Sequence, residues 1–148
     1  WDGQRVELRG HDGLRGVDFD GDKATDAVLA MLPVAAHAEG TSRFYGIGNL
    51  RQKECDRITV PVEELRRFGV DCHDEEEAIV VRGRTEGYAG GHEAETHHDH
   101  RVAQMQALMG LRSRDGVVVL DAETVGKSYP EFFNDLNSLG AAIDLESA

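Results

Sequence analysis

Asn49-Leu-Arg-Gln-Lys-Glu-Cys-Asp-Arg57 packs two arginines, a lysine, a glutamate and an aspartate into nine residues. Before it, Ser42 to Ile47 reads as a strand; from about Lys53 to Phe68 the pattern reads as a helix stopped by Gly69. Pro61 interrupts that helix, so two shorter helices are the alternative. Cations bunched at a helix start make a place for anions, because the free N–H groups and the helix dipole point the same way. On a helix Lys53 and Arg57 share one face and hold an anion, and Glu54 beside them transfers a proton. Asp56 is read as a partner that orients an arginine. The plainer alternative is a solvated, charged helix start.

Working outward, Arg5 to Arg9 and Leu14 to Phe19 alternate polar and apolar and read as two short strands in a hairpin. Thr25 caps a helix to about Ala38, with Ala27, Ala30, Met31, Val34 and Ala35 on its apolar face; Pro33 predicts a kink or break. Val70 to Cys72 and Ala78 to Arg82 read as paired strands, and Gly83 to Thr96 as a loop. Asp99 opens a helix to about Leu111, with Val102, Met105, Leu108 and Met109 inward. Gly116 to Leu120 reads as a buried strand, and Pro130 as the first residue of a helix to Leu139, stopped by Gly140. Ala141 to Leu145 is a candidate last strand.

The order repeats. Asp26 and Asp99 each open the first helix, 73 residues apart; Lys53 and Lys127 each open the second, 74 apart; Gly69 and Gly140 each close it, 71 apart. Three landmarks at nearly one offset imply two copies of one unit, at about 24-82 and 97-148, whose lysine-bearing loops face one cavity.

The chain has 148 residues, one domain's worth or two small ones, with 40% hydrophobic and 30% charged residues. Its net charge of −12 argues against nucleic acid and against anionic membranes. Cys55 and Cys72 are too few for a disulfide framework, so both are read as reduced and the protein as cytoplasmic. Apolar runs are too short for a membrane span. The chain begins with Trp1 in what reads as mid-domain strand, which suggests a fragment.

Two further clusters carry chemistry. In His97-His-Asp-His-Arg101, Asp99 can cap a helix, and His97 and Arg101, four apart, fit anion binding. A metal-binding module built on His92–His100 is the rival reading; adjacent histidines point different ways and no zinc spacing is met, so no metal is expected. Gly126-Lys-Ser-Tyr-Pro130 resembles the tail of a phosphate loop, but Asp121 stands where the first glycine should be, so a nucleotide fold is rejected. Lys127 before a helix still contacts an anion, or is a plain surface lysine.

Leu50-Arg-Gln-Lys-Glu-Cys-Asp-Arg-Ile58, Asp99-His-Arg-Val-Ala103 and Lys127-Ser-Tyr-Pro-Glu-Phe-Phe133, in this order, resemble three hallmark motifs of the 5-enolpyruvylshikimate-3-phosphate synthase family. Asp26-Ala27 before a small-residue helix resembles a fourth. The resemblance implies an α/β fold of repeated β-α-β-α-β-β units, three to a lobe. Residues 1-148 would be about two of the three units of one lobe, a C-terminal fragment inactive alone. The implied reaction is carboxyvinyl transfer from phosphoenolpyruvate to the 5-hydroxyl of shikimate 3-phosphate, with release of phosphate. By match to the motifs, Asp26 is the base and Glu54 the proton donor. Arg57, Arg101 and Lys127 hold phosphoenolpyruvate; Asn49 and Lys53, with Asp26, contact shikimate phosphate. No cofactor is implied, and the partners are the two substrates and the rest of the enzyme upstream of Trp1, in a monomer. Another enolpyruvyl transferase is the rival within the fold. Cys55 stands where Ser or Thr is usual and His98 where Asn is common.

Overall fold

The computed structural model describes Gly3, Glu7 and residues 13–146. The strand expected at Arg5–Arg9, and with it the hairpin, lies outside the described residues. The first series of elements is β1 (Asp18–Asp20), a 3-10 turn (Thr25–Ala27), α1 (Val28–Ala36), β2 (Gly40–Tyr45), a second 3-10 turn (Gly48–Gln52), α2 (Thr59–Arg67), β3 (Asp71–Asp74) and β4 (Ala78–Gly83). The second is β5 (Glu93–Ala94), α3 (His100–Gly110), β6 (Val118–Val119), a third 3-10 turn (Ala122–Lys127) and α4 (Phe132–Ser138). The fold is α/β.

One sheet has the order β1-β2-β4-β3, with β1 and β2 parallel and the other neighbours antiparallel. Alternation along β2 buries Ser42 and Phe44 and exposes Thr41, Arg43 and Tyr45. Phe44 pairs with Ile79 and Ser42 with Val81, so one sheet face is apolar. Helices cover that face: Leu29 and Leu32 of α1, Val62 and Leu65 of α2 and Met105 and Met109 of α3 share its core. Burial of this kind stabilises by about 25 cal/mol per Å² of apolar surface. A smaller cluster joins Ala103 and Ala107 of α3 to Val125, Phe132 and Phe133. The second sheet is only the parallel pair β5–β6.

Several expectations are corrected. Helix α1 continues through Pro33, which forgoes only the bond to the carbonyl four residues back. Thr25 sits in the 3-10 turn and does not cap the helix. The buried face of α1 is Val28, Leu29, Leu32, Pro33, Ala35 and Ala36, whereas Ala27, Ala30 and Val34 are exposed. An almost wholly apolar segment contains no polar stripe to say which way it faces.

Helix α2 starts at Thr59, so Lys53–Ile58 is not helical and Pro61 falls in the first turn, where its missing N–H costs nothing. The segment 116–120 forms only the two-residue β6, with Val118 exposed. β5 lies within the expected 83–96 loop. Pro130 precedes α4 by two residues. No strand forms at Ala141–Leu145; there Asn137 holds the backbone of Ile143 through both its amide atoms at 2.9 Å.

The paired strands β3 and β4 and the glycine stops are as expected. Gly69 (φ 88°) and Gly140 (φ 100°) end α2 and α4 in the same Schellman pattern, with Val70 N–H donating to Leu65 O at 3.1 Å and Ala141 N–H to Leu136 O at 3.0 Å. Neither lysine landmark opens a helix: Lys53 lies six residues before α2 and Lys127 five before α4.

Candidate active site

Arg57 is the centre of the charged residues. Its side chain is 3% exposed, on the turn between the 3-10 segment Gly48–Gln52 and α2. That turn closes where Arg57 N–H donates to Leu50 O at 3.1 Å. The guanidinium grips Asp99 with two prongs, Nε to Oδ2 at 2.7 Å and Nη2 to Oδ1 at 3.1 Å. Nη2 also reaches Glu54 Oε2 at 2.8 Å, and Nη1 lies 3.5 Å from Asp26 Oδ1.

Asp99 caps α3, accepting from Arg101 N–H at 2.8 Å. From α3 Arg101 reaches Asp26 twice, Nη2 to Oδ2 and Nη1 to the backbone carbonyl, both at 3.1 Å. Its Nε is buried and has no partner among the described residues. Lys127, from the third 3-10 turn, donates to Glu54 Oε1. Three carboxylates and three cations from four segments thus form one connected network.

Of the sequence candidates, Asp26, Glu54, Arg57, Arg101 and Lys127 are all members. Asn49 and Lys53 are exposed on the adjoining 48–53 segment, and neither side chain has a hydrogen bond or ion pair among the described residues. Asp56 orients an arginine, as expected, and the arginine is Arg51, at 2.8 Å. The helix-start reading is corrected. The Ile58 and Thr59 N–H groups, at the N-terminus of α2, already donate to Asp56 Oδ1 at 3.0 and 3.1 Å. The cationic groups gathered here are side chains. His97 is not on α3 and faces Glu64 at 3.1 Å, away from a shared face with Arg101.

The histidines disperse. His92 stacks edge-on against Phe68, His97 meets Glu64, and His98 lies 3.7 Å from Asp121. Among the described residues no three His, Cys, Asp or Glu side chains are placed to share a metal. Among the same residues no helix is long and apolar enough to cross a membrane.

Electrostatics follow from the pairing. The hydrogen bond from Lys127, helped by its own backbone N–H and by Arg57, holds the Glu54 carboxyl down to about 2. Burial works against ionised Asp99, yet the bonds from Arg57 and from Arg101 N–H keep its pKa below the usual value. Burial likewise opposes the charge on Arg57, and the Asp99 bond outweighs it, so the Arg57 pKa is raised. Cys55 donates to Asp99 Oδ2 at 3.5 Å; burial, then the Asp99 charge, pushes its thiol up to about 12.

One network member was missed, Asp99, read only as a cap; Glu64, a charge on α2 with 5% of its side chain exposed, lies outside the network and pairs with Arg67 and His97. The capping pattern points to Asp99; nothing local points to its partner 42 residues away.

A 3-phosphoshikimate 1-carboxyvinyltransferase from Burkholderia pseudomallei is 38% identical over 142 residues, 96% of this chain and 32% of its own length. The solved EPSP synthase from Acinetobacter baumannii superposes with a TM-score of 0.82 at 34% identity, over 91% of this chain and 32% of that one. The enolpyruvyl transferase NikO from Streptomyces tendae shares the fold at a TM-score of 0.74 and 19% identity, over 97% of this chain and 34% of that one. The chain spans about a third of the length of the curated relatives it matches. The sequence model of EPSP synthase (3-phosphoshikimate 1-carboxyvinyltransferase) matches residues 1–136, through all three cation-bearing segments of the network, and this chain belongs to that family.

Proposed function

We propose that this chain forms one wall of the active site of an enzyme that transfers a carboxyvinyl group from phosphoenolpyruvate to the 5-hydroxyl of shikimate 3-phosphate, releasing phosphate. The observation that carries the reading is the single network of Asp26, Glu54, Arg57, Arg101 and Lys127. Arg57, Arg101 and Lys127 supply the positive charge that a phosphate and a carboxylate need. Asp26 is the base at the hydroxyl, and Glu54 delivers a proton to the methylene carbon. Asn49 and Lys53, exposed beside the network and without side-chain partners among the described residues, take the second substrate.

In the ligand-free network carboxylates occupy the cations. An arriving dianion replaces them, so Lys127 and Arg57 turn from Glu54 to the ligand. Glu54, freed from the bonds that hold its pKa near 2 and set beside the dianion, gains proton affinity and can take up and pass on a proton. Asp26, released by Arg101 and Arg57, becomes available to the hydroxyl. No cofactor enters this chemistry.

The first series of elements runs β-α-β-α-β-β and the second runs β-α-β-α, which supports a second, shorter copy of the unit; β1 and β5 lead them, so each begins one strand before the bounds 24-82 and 97-148. Alone, the chain is inactive, because a wall that spans about a third of its relatives' length orients neither substrate. With both cysteines free, we assign the activity to the cytoplasm, in a monomer.

The test is a steady-state assay of the full-length gene product. Shikimate 3-phosphate is expected to be consumed with phosphate release, and Arg57→Ala to lower kcat/KM by roughly 10²–10³-fold. Turnover of UDP-N-acetylglucosamine instead would favour another enolpyruvyl transferase.

A further inference from the structure

Glu64 is a buried charge that the proposed reaction does not use. Its carboxylate, on the inner side of α2, accepts from His97 Nε2 at 3.1 Å and from Arg67 Nη1 at 3.1 Å. Arg67 in turn donates to the Glu93 carbonyl. His97 and His98 have φ of 52° and 57°, and with Asp121 (φ 47°) they are the non-glycine residues of positive φ among the described residues. All three stand at the entrance to a site element. The histidines lead into Asp99, and Asp121 leads into the turn ending in Lys127. His98 Nδ1 lies 3.7 Å from Asp121 Oδ2.

Two consecutive left-handed residues with side chains persist only where their surroundings over-determine them. A hydrogen bond from Asp99 N–H to Thr96 O, at 2.9 Å, closes the turn across His97 and His98. The bond from the His97 ring to a carboxylate fixed in the body of α2 adds a second restraint against relaxation of these two residues. Relaxation would swing Asp99, and Asp99 holds both the start of α3 and the guanidinium of Arg57.

We propose that Glu64 and His97 are a positioning pair, which holds the left-handed turn at 97–98 and so aims Asp99, and through it Arg57, into the site. The inference rests on the anion-site reading above. Neither residue touches substrate; both act through Asp99.

The experiment uses the full-length gene product with a set of substitutions. Glu64→Ala is expected to lower kcat/KM for phosphoenolpyruvate by ~10- to 100-fold, the scale of a misplacement near 1 Å, and to raise the KM of phosphoenolpyruvate more than that of shikimate 3-phosphate. The double variant Glu64→Ala/His97→Gly recovers most of the loss, since glycine takes the left-handed conformation without steric cost. His97→Val falls like Glu64→Ala with Glu64 in place, because a β-branched residue resists positive φ.

The Arg57 Nε–H resonance provides a readout independent of turnover. It should move in Glu64→Ala and His97→Val and return in the double variant. Unchanged kinetics and resonance in His97→Val, or no recovery by glycine, overturns the proposal. A parent protein that turns nothing over refutes the carboxyvinyl reading instead, and the Arg57 resonance then decides this one.

Discussion

The two segments that bring cations from outside α3 are built to opposite designs. Residues 50–59 are clamped. Arg51 reaches the carbonyls of Glu75 and Glu76 at 2.6 and 2.8 Å in the β3–β4 turn, and Asp56 and Thr59 at 2.8 and 3.0 Å in its own. Asp56 fixes the first N–H groups of α2, and Arg57 emerges almost fully buried. Residues 121–127 are anchored by Val125 in the smaller core, and Lys127 is 60% exposed with Glu54 as its one ion partner among the described residues. A planar guanidinium locked from behind defines a direction; a flexible ammonium supplies charge where it is wanted. The arginine segment therefore fixes a direction, and the lysine segment leaves its charge mobile.

Substitutions can break or sharpen that contrast. The largest effect is expected from Asp99→Ala, which removes the two-pronged partner of buried Arg57 and leaves it only Glu54 and Asp26. It should cost about 3–5 kcal/mol in urea unfolding, with Arg57→Met/Asp99→Leu recovering much of that. Arg51→Ala should cost about 1–3 kcal/mol and speed amide exchange at Ile58 and Thr59, since it frees two carbonyls and one oxygen of Asp56.

Lys127→Met should change stability by less than about 1 kcal/mol, because exposed ion pairs contribute little. Its mark is in the pH profile. The folded-state pKa of Glu54, about 2, lies below its ordinary 4.5, so the contribution is fully present above pH 4.5 and is lost as pH falls towards 2. Denaturation midpoints followed from pH 5 to pH 2 should fall less steeply in Lys127→Met and in Glu54→Gln. The smallest effect is a gain: His98→Asn relieves a left-handed position whose side chain is 88% exposed, and should add roughly 0.5–1 kcal/mol in thermal unfolding.

Legibility from the sequence tracked how local the cause was. Gly69 and Gly140 announce their helix ends because the positive φ that only glycine takes freely is a property of one residue. The alternation of Ser42 and Phe44 announces a half-buried strand for the same reason. The start of α2 was misplaced because Asp56 spends its carboxylate on two N–H groups, an act that an acidic run does not reveal. The facing of α1 was unreadable in an apolar stretch.

At the site, residue types and motif order pointed to the charged members. The grip of Arg57 on Asp99 and the burial of Glu64 depend on chain distances of 42 and 33 residues, to Asp99 and His97, which periodicity does not reach. The departure at His98 acquires a physical meaning only in three dimensions: it occupies a backbone conformation that asparagine tolerates better than most residues.

The thiol of Cys55 turns the network into its own gauge. So long as half-buried Cys55 keeps its cover and Asp99 accepts its proton, the sulfur remains protonated and reacts slowly with alkylating reagents. Each opening that admits water to the sulfur removes the main cause of the raised pKa and makes it more reactive. The labelling rate of this one sulfur by a maleimide, with buried Cys72 as internal control, counts how frequently the wall loosens, and a tightly held anion should slow the clock.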